Sequence, residues 1–113
     1  MRTAHIRDMT RGWFVGNFHP AVYITSDVEV GLKTYTMGDS EAPHYHKCAT
    51  EITVVQSGTI RMFKMLWQKG DIIIAEPGDV TGFEALTDAS LVVVKIPGVN
   101  NDKYLVEGGT RRC

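Results

Sequence analysis

GDSEAPHYHKCATEITVVQSG, residues 38–58, carries two histidines one residue apart, His44 and His46, then a carboxylate at Glu51, all bracketed by Gly38 and Gly58. On a strand, residues i and i+2 share one face of the pleat, so the two imidazoles project together. A carboxylate a few residues on can converge with them on one ion. Imidazole and carboxylate together suit several first-row divalent metals. Taken alone, the residues leave a second reading open: surface histidines beside a turn at Pro43, with Glu51 a solvated charge.

Outward from that stretch the chain reads as β. Residues 21–25 and 28–37 are strand-like runs broken at Ser26 and Asp27; in the second, Val30, Leu32 and Thr34 face one way and Glu29, Lys33 and Tyr35 the other. Residues 51–56 are β-branched and apolar and meet 59–65 across a short turn at Ser57 and Gly58. Strand signals return at 71–75, 82–86 and 91–96, punctuated by Gly70, Pro77, Gly78 and Asp88. No segment sustains a helical period long enough for a core helix. Short strands at regular spacing predict a sandwich or barrel, and closure removes most exposed edges.

The spacing of Gly38, His44, His46, Glu51 and Gly58 resembles the first motif of the cupin family in every fixed position. That resemblance implies an all-β, double-stranded β-helix (jelly-roll) barrel, with His44, His46 and Glu51 facing its cavity as ligands of a divalent metal ion, whether Fe, Mn, Ni or Zn. A second cupin-like motif runs from Gly70 and Asp71 through Ile72, Ile73, Ile74 and Ala75 to Pro77 and Gly78. It departs from the family where a histidine is expected, because Thr81 stands there, and Glu76 occupies a position where cupins commonly have proline.

A threonine hydroxyl is a weak ligand, so two imidazoles and one carboxylate would leave coordination positions open for water or substrate. Glu76 and Glu84 are the nearby carboxylates that could supply a further oxygen ligand or a catalytic base. Glu84 has the opposite parity to Thr81, so it turns inward only if Gly82 introduces a bulge. Thr81 and Gln56 are expected as pocket residues, Gln56 alternatively as an exposed strand end. Tyr45 should face away from the histidine pair, whereas Tyr35 and Lys33 are candidates to line the pocket. His5 and His19 read as solvated or core-satisfied.

With 113 residues, the chain is expected to form one domain, a barrel over about 20–97 with peripheral ends. Twelve basic against thirteen acidic residues give a formal charge of -1, and the longest like-charge run is the terminal Arg111 and Arg112. Neither nucleic acid nor an anionic membrane is implied as a partner. No apolar stretch approaches a membrane span, and the first residues lack the apolar core of a signal peptide, so a cytoplasmic location is expected. Cys48 and Cys113, without metal-ligand spacing, are expected as free thiols, Cys48 as a small residue filling a turn.

Trp13, Phe14 and Phe18 form an aromatic cluster that reads as a plug or dimer contact, with a pocket wall as the alternative. Phe63, Met65, Leu66 and Trp67 suggest an interface, and cupins are often dimers, so a homodimer is expected. Two functions follow. One is a metal-dependent enzyme, of isomerase, epimerase or dioxygenase type, on a small oxygen-rich metabolite. The other is a non-catalytic module that binds or senses a small ligand of sugar type.

Overall fold

The computed structural model describes residues 1–106; Arg111, Arg112 and Cys113 lie outside the described residues. After a short 3-10 turn at Ile6–Asp8, the strands are β1 (Trp13–Val15), β2 (Glu29–Tyr35), β3 (Ser40–Tyr45), β4 (Thr50–Ser57) and β5 (Thr59–Met62). They continue with β6 (Met65–Gln68), β7 (Ile72–Ala75), β8 (Thr81–Ala85), β9 (Ala89–Ile96) and β10 (Tyr104–Leu105). One five-stranded sheet has the order β1-β2-β9-β4-β7 and the other the order β10-β3-β8-β5-β6. This is the two-sheet, all-β jelly roll that the sequence leads one to expect. No helix among the described residues is long and apolar enough to cross a membrane.

Pairing in the first sheet fixes what faces inward. Glu51, Lys95 and Glu29 stand in one cross-strand row, with Thr53, Val93 and Gly31 in the next and Val55, Leu91 and Lys33 beyond. Val55, Leu91 and Val93 pack with Ile60, Met62, Phe83 and Ala85 from the second sheet to form the core. On β4 and β9 the inward stripe therefore changes along the strand from aliphatic to charged, while β2 contributes Glu29, Gly31 and Lys33. The charged end is where the cavity forms.

The outer face of the same sheet is aliphatic as well. Ile74, Ile52, Val94 and Val30 form one cross-strand row, and Ile72, Val54, Val92 and Leu32 the next. Ile72 and Ile74 are 59% and 58% exposed.

Three strands depart from the sequence reading. Residues 21–25 form only an isolated bridge, Val15 with Tyr23, whereas the aromatic run 13–15 is the edge strand β1. The run 59–65 is two strands, because Phe63 and Lys64 make a two-residue turn with φ of 51° and 59°. Such a turn ordinarily calls for Asn or Gly, so its signal was absent. Phe63 and Trp67 then pack on the core, while Met65 and Leu66 remain exposed. The C-terminal stretch expected to be peripheral returns to the second sheet as β10, and Tyr104 stacks on the buried Tyr45 at 5.7 Å. Tyr45 faces away from the cavity as its parity requires, but it is covered.

The two bracketing glycines serve different ends. Gly38 has φ +95° with open space where a Cβ would sit; Gly58 has φ +82° and a Cβ there would lie 2.2 Å from the Asp88 carbonyl oxygen. The left-handed backbone costs an L-residue about 1–2 kcal/mol. Gly38→Ala is therefore expected to lower stability by about that amount, and Gly58→Ala by clearly more, since the β4–β5 turn must also move. Urea unfolding of both variants checks the order; equal losses would contradict it.

Candidate functional site

His44 and His46 reach the cavity by different routes. On β3 the pairing with β8 shifts between Glu41 and His44, so a bulge at Ala42 and Pro43 resets the alternation. Glu41 and His44 consequently line one cavity, although a regular strand would separate them. His46 lies just past the strand end and is 6% exposed. Glu51 enters from β4 on the inward stripe.

Both rings commit Nδ1 to a backbone carbonyl. His44 Nδ1 donates to the Ala42 oxygen at 2.9 Å, and His46 Nδ1 to the oxygen of Asp102. Each Nε2 is thereby directed away from the backbone, the arrangement by which outer partners orient metal-binding imidazoles. His46 Nε2 lies 2.9 Å from Glu51 Oε2, and the His44 and His46 rings stand edge to face with centroids 5.6 Å apart. Burial opposes charge on His46, but its hydrogen bonds to Glu51 and the Asp102 carbonyl win and raise its pKa. Glu51 is the counterpart: burial works to raise it, yet the His46 hydrogen bond and charge hold it below the usual carboxylate value. His44 is lowered by burial, an effect only partly offset by its bond to Ala42.

The residues fit a divalent ion in donor type and ring orientation. As they stand, though, no three His, Cys, Asp or Glu among the described residues are gathered into a set that would grip one. His46 and Glu51 are closed on each other.

The cavity has a volume of about 830 Å³ and is lined by His44, His46, Glu51, Glu41, Tyr35 and Trp13 together with Lys33, Lys95, Lys103, Arg7 and Arg11. Trp13 therefore serves as wall as well as packing. A smaller recess of about 50 Å³ touches the same His and Glu side chains and Thr81. Within the cavity Tyr35 Oη donates to Glu41 Oε2 at 3.2 Å, and Lys103 Nζ lies 3.3 Å from Glu41 Oε1. Burial, then the neighbouring Glu41 charge, pushes the Tyr35 hydroxyl well above its ordinary pKa, so it stays a donor.

Thr81 pairs with His44 across β3 and β8, but its hydroxyl is already engaged, accepting from Phe63 N–H and donating to the Gly82 carbonyl. The expected catalytic carboxylates are corrected. Glu84 points to the outer side, where Arg61 holds it at 2.7 Å, as its parity demands without a bulge at Gly82. Glu76 is exposed in the turn it forms with Asp79. Neither lines the cavity or the recess. Gln56 is likewise corrected: it is an exposed strand end whose Oε1 accepts from Ser90. The expected free thiol at Cys48 is corrected too, since Cys48 is in a disulfide, and the cysteines no longer speak for a reducing compartment.

Several residues of the site carry no signal in the sequence, among them Lys95, Lys103, Glu41 and Asp102. Glu41 was hidden by the bulge. Asp102, 4% exposed, accepts the N–H groups of Lys47, Cys48 and Ala49 at 2.8, 3.1 and 2.9 Å, which shapes the β3–β4 loop. Its own carbonyl receives His46. More than fifty positions separate it from the loop, and nothing local announces the contact.

No family profile matches the sequence, and no curated protein is similar to it. Solved structures do match. A conserved uncharacterised protein with a double-stranded β-helix domain from Klebsiella pneumoniae subsp. pneumoniae MGH 78578 is 28% identical, with 74% of each chain covered and a TM-score of 0.67. KdgF from Halomonas sp. is 23% identical over 68% of this chain and 74% of its own, with a TM-score of 0.60. Oxalate decarboxylase from Bacillus subtilis, a protein with Mn(II) centres, is 18% identical over 72% of this chain and 24% of its own, with a TM-score of 0.64.

Because a buried acceptor that serves three donors cannot be replaced by solvent, Asp102→Ala is expected to cost about 2–4 kcal/mol. Asp102→Asn, which keeps one acceptor oxygen, should cost less. Chemical unfolding of the two variants makes the comparison, and a neutral Asp102→Ala would contradict it.

Proposed function

Since the chain is a member of the cupin superfamily, we propose that its cavity is a metal-dependent active site for a small oxygen-bearing metabolite, with His44, His46 and Glu51 as the residues that would hold the ion. The observation that carries this reading is the shared habit of the two imidazoles, each tied at Nδ1 to a backbone carbonyl with Nε2 left toward the cavity that Glu51 enters. Solvated surface histidines would have no reason to be oriented twice over. The Mn(II) centres of the oxalate decarboxylase with this fold are consistent with it. When bound, a divalent ion supplies a Lewis acid that polarises a substrate oxygen.

This chain's own residues account for the rest. Glu41 is the carboxylate placed to move a proton: it lies in the cavity and the recess alike, where Glu76 and Glu84 do not. Tyr35 Oη donates to one of its oxygens and Lys103 Nζ to the other, which orients the carboxylate. A base so positioned is worth about 10²–10⁴ in rate. Trp13 and Val93 add apolar wall to the same cavity. A pocket built only for capture would not need a carboxylate held at both oxygens beside the histidine pair, and this favours turnover over simple binding. The isomerase, epimerase and dioxygenase types all remain within this reading.

Elemental analysis of purified protein should find a divalent metal in the wild type and in Glu41→Gln, and none in the His44→Ala, His46→Ala double variant. In a turnover screen over sugar, keto-acid and catechol substrates, Glu41→Gln should lose 100-fold or more. Equal, negligible metal in all three proteins would remove the metal reading; binding without product in every class would favour the module that only captures.

We also propose that two chains pair through the outer face of the β7-β4-β9-β2 surface. Its two rows contain eight aliphatic residues and no charge, so a second identical face is the partner of matching chemistry, packed as sheets pack face to face. Ile72→Lys with Ile74→Lys should shift the mass measured by light scattering from dimer to monomer. A monomeric wild type would dismiss the pairing.

A further inference from the structure

We infer that the ligand of this cavity is a small organic carboxylate, received by the ammonium groups of Lys33 and Lys95 that flank the Trp13 indole. The inference rests on the cavity being the active site, and it names the chemistry of what enters. Its first support is the distribution of charge. The chain has 12 Lys and Arg against 13 Asp and Glu, yet five of the cations and only three of the carboxylates line this cavity.

The three carboxylates are also spoken for. Asp39 accepts the Thr36 N–H at 2.8 Å, Glu41 is held by Tyr35 and Lys103, and Glu51 faces His46. The cations are less committed. Among the described residues neither Lys33, Lys95, Arg7 nor Arg11 enters an ion pair. Lys33 Nζ gives a single hydrogen bond, to the Arg11 carbonyl at 2.7 Å, and keeps its other donors free for a ligand. Lys95 has Glu51 and Glu29 as cross-strand neighbours, so its charge is partly countered without being paired.

The placement of the two ammonium groups is built into the sheet. Position 31 is glycine, and a Cβ there would lie 2.8 Å from Trp13 Cε3, so the indole rests against the bare backbone of β2. Lys33 on β2 and Lys95 on β9 then reach the ring at 5.3 and 5.1 Å from its centroid. Each cation is held by the π face, which fixes its position without neutralising it. Burial depresses the pKa of Lys33, the mark of an ammonium group that has lost water and gains by meeting an anion. Two point charges on separate strands suit carboxylate oxygens. They lack the converging backbone N–H groups that cradle a phosphate.

The test uses Trp13 as its own reporter. The chain has two tryptophans, so a Trp67→Phe background leaves one in the cavity. Fluorescence titrations with malonate, pyruvate and benzoate, each against its amide, and with inorganic phosphate are run on protein freed of metal and on Mn(II)-loaded protein. At least one carboxylate should bind about tenfold or more tightly than its amide, and Lys33→Gln with Lys95→Gln should weaken it by a similar factor, as expected for a hydrogen bond to a charged group. Arginine at both positions should restore much of the binding, while bound Mn(II) per chain is unchanged by either pair of substitutions. Amides that bind as well as acids, binding of phosphate alone, no carboxylate response, or unaltered binding in the glutamine variant would each overturn the inference. Carboxylate binding that needs the lysines in a protein unable to retain Mn(II) would uphold it and remove the metal reading instead.

Discussion

The register of β4 and β2 against β9 is the constraint on which the rest of the molecule depends. Side chains alternate with a period of two, so a one-residue slip would carry Glu51, Lys95 and Glu29 to the outer face. Ordinarily a hydrophobic pattern forbids such a slip. Here it is weak protection, because both faces of these strands are aliphatic over their middle rows. Ile52 and Val54 could pass for Thr53 and Val55. What sets the register is chemistry at the ends of the strands: the Gly58 turn, which admits no Cβ, and the row of charges that gains from facing the cavity and the histidines.

That division explains how far the sequence could be read. Parity grouped Lys33 with Glu29 and Tyr35 on one face and turned Glu84 outward unless Gly82 bulged, and the structure keeps that grouping and that direction; Glu51 needed the motif. The histidines needed the motif, since alternation could pair them but could not say on which side. Alternation then failed at Ala42 and Pro43, where the β3 bulge brings Glu41 beside His44. A proline next to a strand-borne histidine was the available hint, and it was read as a turn. Phe63 and Lys64 form a hairpin turn with none of the usual residues, which merged two strands into one. The role of Asp102 is a contact between distant parts of the chain, and no local pattern encodes it.

Asp102 also shows why the end of the fold matters to the site at its centre. The loop from Lys47 to Ala49 lies between the histidine pair and Glu51, and three of its N–H groups would be unpaired without a carboxylate. One residue thus shapes the loop with its side chain and sets the tautomer of His46 with its main chain. Tyr104 stacking on Tyr45, with Lys47 Nζ 4.0 Å from the Tyr104 ring centroid, fastens the segment that presents Asp102. Ligand geometry and C-terminal docking are one problem.

Charge in the cavity follows a pattern that links the metal reading to the nature of the ligand. Glu29, Lys95 and Glu51 alternate in sign across three strands, and His46 Nε2 faces Glu51 at the end of the row. A divalent ion held there would bring further positive charge to a cavity whose lining is already cationic. In a partly dry site such an excess is costly unless something offsets it. No carboxylate of the lining is free to do so, because each already has its partner. An anion from solution can. The same cationic lining that opposes a metal on its own would favour a metal accompanied by a ligand that carries negative charge.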